Sequence, residues 1–291
     1  MIVPTLCVGN AALYAPRPPT MDAERHVRHY HAERGNDHHK TCHSAAIKPD
    51  IAIIAVRYAD TPNAMPDQPS RALPDSFFDR DAQTLARDLL GKVVRHKVGE
   101  LWLSARIIET EAYYLEEKGS HASLGYTEKR KALFLEGGHI YMYYSRGGDS
   151  LNFSAQGPGN AVLIKSAYPY VDAFSDENSL AQMQLNNPDA SGNIRPPERL
   201  CAGQTLLCKA LGLKVPMWDA KRFDPQWIFV EDVGQRPARI IQAARLGIPA
   251  GRDEHLMYRF VDAQYTRFCT RNPLRRGQVE GRDYFIIEQG H

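Results

Sequence analysis

Cysteine is scarce in this 291-residue chain: there are 5, at Cys7, Cys42, Cys201, Cys208 and Cys269, and none form a Cys-x-x-Cys pair. An odd, sparse set excludes a disulfide framework and points to a reducing compartment. Cys201 and Cys208 flank a helix-like segment and read as small core residues. Long apolar runs are missing too. The longest, Ile51 to Val56, falls far short of the roughly 20 residues of a membrane-spanning helix. No secretory apolar segment with a small-residue cleavage site opens the chain. A bulk excess of one charge is also absent, since 36 Lys and Arg against 34 Asp and Glu leave a formal net charge of +2. Four motifs are absent: Gly-x-Ser-x-Gly, the Gly-x-x-x-x-Gly-Lys-[Ser/Thr] phosphate loop, Gly-x-Gly-x-x-Gly after a strand, and the His-x-Glu with Pro-Cys-x-x-Cys of zinc deaminases. These omissions leave room for a metal-free hydrolase that uses a carboxylate and water. The expected location is intracellular, either cytoplasmic at a bacterial nucleoid or nuclear.

The residues that are present, 43% hydrophobic and 24% charged, suit a globular protein with a sizeable core. Residues 1–69 differ from the rest. Six of the 11 histidines fall between His26 and His43, with no His-Glu-x-x-His spacing and nothing periodic around them, so a disordered leader is expected rather than a metal site. Met65 is an alternative start, because patterned sequence begins soon after it.

From Phe77 the pattern tightens. Asp81 is the expected N-cap of a helix over 82–90, with Leu85, Leu89 and Leu90 on one face and Gly91 at C′. Strands are expected at 92–97, 101–114, 140–144, 161–167, 227–230, 240–244, 258–261 and 284–287. A loop-and-helix segment is expected over 119–138, a helix and surface excursion over 171–198, and a helix over 204–211 ended by Gly212. Strands in runs rather than in alternation with helices predict an α+β fold. It is read as one domain, 70–291, on a curved, mainly antiparallel sheet with flanking helices.

Two stretches carry the chemistry. In Ile107-Ile108-Glu109-Thr110-Glu111-Ala112-Tyr113-Tyr114, Glu109 and Glu111 share one strand face. Such a pair serves either as acid and base in glycosidic hydrolysis or as a partner for basic residues at a sheet edge. The second stretch, His139 to Asn152, brings Tyr141, Tyr143 and Tyr144. Tyr113, Tyr141 and Tyr143 with His121 offer flat faces of the kind that stack on a base, each worth about 1–3 kcal/mol. Tyrosines on strands also serve as core. Lys129, Arg130 and Lys131 form one basic patch, and Arg267, Arg271, Arg275, Arg276 and Arg282 another, as on the phosphate-gripping rim of a nucleic-acid enzyme.

The ordered motifs Ile108 to Tyr113, Gly138 to Tyr143, Leu151-Asn152-Phe153-Ser154, Gln156-Gly157, Ala161 to Ile164, Leu200 to Gly203, Leu207 to Gly212, Arg245-Leu246-Gly247-Ile248 and Arg259-Phe260 resemble the alkyladenine (3-methyladenine) DNA glycosylases of base-excision repair. The likeness runs from about Asp79 to Phe260. It implies a monofunctional N-glycosyl hydrolase, without metal or cofactor. This would act as a monomer on double-stranded DNA containing damaged purines. By that resemblance Glu111 is the general base and Lys165 stands near the catalytic water. Tyr113, His121 and Tyr143 hold the everted base, Asn152 excludes guanine, and a backbone carbonyl near Leu246 helps to hold the water. Independently of the resemblance, their clustering makes Lys129, Arg130, Lys131, Arg267 and Arg271 the expected contacts to the DNA backbone.

Two departures stand out. Lys165 replaces the family's arginine, giving a point charge without the guanidinium fork. The segment Tyr144-Ser145-Arg146-Gly147-Gly148 is one residue shorter than in the family. The groove wedge is therefore Arg146 or Tyr144. A catalytically weak damaged-DNA-binding protein of the same fold is the rival expectation.

Overall fold

The computed structural model describes residues 72–290, so the expectations for the leader and for Met65 lie outside the described residues. Two short helices come first, α1 (Asp75–Phe78) and α2 (Ala82–Asp88). They are followed by strands β1 (Val93–Val98), β2 (Leu101–Tyr113), β3 (Ile140–Ser145), β4 (Gly148–Ser154) and β5 (Ala161–Pro169). Helices α3 (Glu177–Asn186), α4 (Pro197–Leu200), α5 (Gln204–Ala210) and α6 (Val215–Trp218) form the middle of the chain. Strands β6 (Ile228–Glu231), β7 (Arg239–Ala243), β8 (Arg259–Asp262) and β9 (Tyr284–Glu288) close it.

Among the described residues the strands join in one 9-stranded sheet of order β3-β4-β5-β2-β8-β7-β9, with β1 bridging β2 and β6. Every strand pair is antiparallel, so the fold is a single α+β domain. The axis is β2. Its first half pairs with β1, its second half passes to β8, and β5 runs along its other edge.

Side-chain alternation divides the sheet into two faces. One face sends Ile107, Ala112, Leu151, Phe153, Val162, Ile164 and Phe260 into the main core with Leu85 and Leu89 beside α2 and Leu207 and Cys208 of α5. The other face carries Glu111, Tyr113, Asn152 and the tyrosines. Cys201 and Cys208 are fully buried and Cys269 nearly so, and all three are free thiols. Burial pushes the Cys201 and Cys208 thiols up, and burial plus the charge of Glu109 pushes Cys269 up to about 12.

Local details refine the sequence expectations. Asp81 caps α2 by accepting from Thr84 N at 3.0 Å, but the helix ends at Asp88 with Leu89 as C-cap, so Gly91 lies one residue beyond C′. Gly91 still needs its freedom: its φ is +85°, and a Cβ there would sit 2.5 Å from the Gln235 carbonyl oxygen. The 119–138 segment holds 3-10 turns, Ala122–Leu124 and Glu128–Phe134. The largest omission is β4. Its glycine, aspartate and serines disguise a strand that is buried at all seven positions.

The β3–β4 connection is a two-residue turn closed by the Ser145–Gly148 pair, with Arg146 at φ 49° and Gly147 at φ 80°. Positive φ at both central residues is the type I′ geometry that matches the twist of paired strands. Gly148 is required as well, because a Cβ would lie 2.8 Å from the Thr205 side chain.

Candidate active site

The floor of the site is a single row across the sheet. Tyr141 pairs with Asn152, Asn152 with Leu163, Leu163 with Glu111, and Glu111 with Arg259. Beside this row Tyr113 pairs with Ala161. The register of β2 on β5 is broken twice: Ile108 is an extra residue on β2 and Lys165 an extra residue on β5. Compensating bulges of this kind re-aim side chains without shifting the flanking register. Here they let the consecutive residues Lys165 and Ser166 reach Glu111 and Glu109, respectively, when strict alternation would send them to opposite faces.

Glu111 is fully buried. One carboxylate oxygen accepts from Leu246 N at 3.0 Å and the other from the Tyr113 hydroxyl at 2.7 Å, while Lys165 Nζ lies 3.4 Å from both. The Leu246 backbone thus engages this carboxylate through its amide. Burial, followed by the negative charge of Glu111, raises the Tyr113 hydroxyl well above its ordinary range, so it remains a proton donor to the carboxylate.

An aromatic wall stands opposite. The His121 and Tyr143 rings meet edge to face with centroids 4.4 Å apart, and Tyr141 stacks on Tyr143 at 5.5 Å. His121 Nδ1 is 3.0 Å from the Tyr141 hydroxyl. Desolvation, then the charges of Arg130 and Arg252, lower the His121 pKa and favour the neutral imidazole. Asn152 donates to the Tyr141 carbonyl at 3.1 Å, which fixes its amide on the floor.

These groups border a cleft of about 880 Å³. Tyr113, His121, Tyr143, Arg146, Asn152, Lys165, Leu246 and Arg271 all line it. Glu111 sits directly behind three of its lining residues, Tyr113, Lys165 and Leu246. Tyr144 projects from the other face of β3 and is 64% exposed. Lys129, Lys131 and Arg267 are exposed away from the lining. Arg130 is held by the Gly125 and Leu124 carbonyls, Lys131 pairs with Glu128 at 3.7 Å, and Arg282 pairs with Asp283 at 2.7 Å. Among the described residues no group of three or more His, Cys, Asp or Glu is arranged to hold a metal ion, and no helix is long and apolar enough to cross a membrane.

A match to the methylpurine-DNA glycosylase family spans residues 76–266, the segment that contains the whole row from Tyr141 to Arg259. The chain belongs to that family. Membership makes it a DNA glycosylase, an enzyme whose substrate is DNA. It is 84% identical over 220 residues to a protein of Pseudomonas savastanoi pv. phaseolicola named "Putative 3-methyladenine DNA glycosylase", covering 76% of this chain and 99% of the relative. A protein of the same name from Pseudomonas aeruginosa is 73% identical over 228 residues, covering 78% of this chain and 95% of the relative. The DNA-3-methyladenine glycosylase of Mus musculus is 33% identical over 193 residues, covering 63% of this chain and 56% of the mouse protein.

The candidate site also contains groups to which the sequence reading assigned no role. Ile248, Arg252, Gln204 and Thr205 line the cleft, and Gln204 donates to the Ser145 hydroxyl at 2.6 Å. Arg245, fully buried, lies 4.5 Å beneath the Tyr113 ring, donates to the Ala112 carbonyl at 2.9 Å and pairs with Glu117. Its signal in the sequence was its place in the motif Arg245-Leu246-Gly247-Ile248. The guanidinium supports the ring from below while the next residue's amide holds Glu111.

Proposed function

We propose that the enzyme everts alkylated or deaminated purines from duplex DNA, namely 3-methyladenine, 7-methylguanine, hypoxanthine and ethenoadenine. It then hydrolyses the N-glycosidic bond with a water activated by Glu111 and leaves an abasic site. The observation that carries this reading is the position of Glu111 behind an aromatic cleft, held by Leu246 N and Tyr113 with Lys165 alongside.

A stacked base cannot be attacked at its sugar, so rotation out of the helix precedes chemistry at a cost of a few kcal/mol, least for damaged or mispaired sites. Tyr113, His121 and Tyr143 then receive the base. A cationic N-alkylpurine gains cation–π attraction there, about 0.5–2 kcal/mol, and is itself a good leaving group. Hypoxanthine is neutral, leaves less easily and gains from protonation. Asn152, fixed to the Tyr141 carbonyl, crowds the exocyclic amino group of guanine and keeps the normal base out. Lys165, whose Nζ lies 3.4 Å from the carboxylate, shares the attacking water with Glu111.

The test is a glycosylase assay on duplexes carrying hypoxanthine, ethenoadenine or 7-methylguanine, with strand cleavage scored before and after alkali. Base release with cleavage only after alkali is expected. Binding without release at any of the three lesions refutes the hydrolytic reading in favour of a damaged-DNA binder.

A further inference from the structure

Glu109, the other carboxylate of β2, plays no part in the chemistry above, yet it is fully buried two residues from Glu111. Its contacts converge on one distant loop. One oxygen accepts from Arg259 Nε at 2.6 Å. The other accepts from Ser166 Oγ at 2.5 Å and from Thr270 N at 2.9 Å, a partner 161 residues away. Arg259 in turn donates to the Arg271 carbonyl, and Ser166 Oγ lies 3.0 Å from Thr270 Oγ1. Two backbone groups of consecutive residues, the Thr270 amide and the Arg271 carbonyl, are thus tied to the sheet through one ion pair.

The loop that is tied down has no regular structure of its own but borders the cleft. Thr270 and Arg271 are exposed and are among the residues that line the cleft. The charged residues of the lining are Arg146, Lys165, Arg252 and Arg271, with no carboxylate. Lys165 is engaged by Glu111 and Arg252 by the Lys118 carbonyl. The Arg271 guanidinium has no such partner among the described residues.

We propose that Glu109 is a positioning residue for DNA, anchoring the Thr270–Arg271 corner so that Arg271 grips a phosphodiester flanking the everted nucleotide. An irregular loop would otherwise lose conformational freedom when its arginine engages the ligand. Fixing the backbone in advance removes that cost from binding. Guanidinium suits the task because its fork matches two phosphate oxygens. Burying the anchor as an ion pair adds little net stability over an apolar pair, so its effect shows in what it holds. Side chains two residues apart on a strand lie about 6.6 Å apart, so β2 sets the anchor of the grip close to the carboxylate that activates water.

The inference rests on the glycosylase reading, and the experiment separates the two. Duplex binding is measured against salt for the wild type, Arg271→Ala, Glu109→Gln and the double variant, with single-turnover excision on the same duplex. Loss of one phosphate contact lowers the slope of log K on log salt by about one, or about tenfold in affinity at 0.1 M salt. Both single variants are expected to show that loss, the double variant no more than either, and the saturating excision rate to change by less than the affinity. Ser166→Ala, which keeps the Glu109–Arg259 pair, is expected to show a smaller loss of the same kind and serves if Glu109→Gln does not fold. An unchanged slope in Glu109→Gln, or in Ser166→Ala where Glu109→Gln does not fold, with an active wild type, overturns the anchoring alone. So does a slope loss that adds to that of Arg271→Ala. A wild type that neither binds nor excises overturns both readings.

Discussion

Glutamine at position 111 removes the proposed base while leaving the site filled. The remaining amide oxygen can still accept from Leu246 N or from the Tyr113 hydroxyl, now at 3.0 and 2.7 Å from the carboxylate, but not from both with full charge. Proton removal from the attacking water is lost. Positioned general bases contribute about 10²–10⁴-fold, equivalent to roughly 3–5 kcal/mol of barrier. A stability effect must be kept apart from this. Lys165, only 9% exposed, loses its partner, and hydrogen bonds to charged groups are worth about 1.5–3 kcal/mol. At 3.4 Å this contact belongs at the low end, a fall of about 3–6 °C in Tm for a domain of this size. Single-turnover excision of hypoxanthine, with enzyme in excess, measures the chemistry, and fluorescence anisotropy on the same duplex measures binding. Excision at least a hundredfold slower with affinity within a few-fold of wild type is expected. A folded Glu111→Gln variant that excises within tenfold of the wild-type rate would falsify the assignment.

Asn152→Ala opens space on the cleft floor and removes the 3.1 Å bond to the Tyr141 carbonyl. It is expected to release guanine from mismatched duplexes and to lose about 1 kcal/mol of stability, measured by base release and urea unfolding. Arg146→Ala should slow excision from matched duplexes more than from mispaired ones. Tyr144→Ala should do neither, because Arg146 tips the turn at the cleft while Tyr144 faces outward; equal effects would reassign the wedge. His96 is buried, with Nδ1 2.6 Å from the Leu211 carbonyl and Nε2 accepting from Trp218 Nε1 at 3.2 Å. Burial lowers its pKa below the ordinary histidine range, against a smaller opposing effect of the bond to Leu211. The unfolded chain therefore binds more protons below about pH 6.5, and stability should fall as pH drops from there while staying flat above it. Urea midpoints across this range, wild type against His96→Gln, check the sign, and a steeper slope in the variant contradicts it.

Much of this architecture was legible because its strands are β-branched and aromatic and its helices are capped. The ends of β2, the Asp81 cap and the placement of α5 follow from local chemistry. β4 was not legible as a strand, because glycine and aspartate are poor strand formers and only the packing of Thr205 and α5 makes them fit. Glu111 and Tyr113 were readable together from one face of β2, whereas Tyr143 and Asn152 joined them only through the family likeness. The remainder depends on contacts with no local signature. Glu109 reaches a residue 161 positions away, and Arg245 one 133 positions away. The bulge at Lys165 exists only as a register difference between two strands. Even the basic patches divide only in three dimensions, since Arg271 borders the cleft whereas Arg130 and Arg282 are already engaged.

The three described thiols carry a consequence for an enzyme proposed to meet alkylated DNA. Electrophiles that methylate purines also attack thiolates, and a thiol reacts to the extent that it is exposed and ionised. Cys201 and Cys208 are 0% exposed and Cys269 is 4% exposed, and burial holds all three protonated. Over its described part, the enzyme therefore offers little reactive sulfur to the agents that create its substrates, and its activity should outlast the exposure that makes repair necessary.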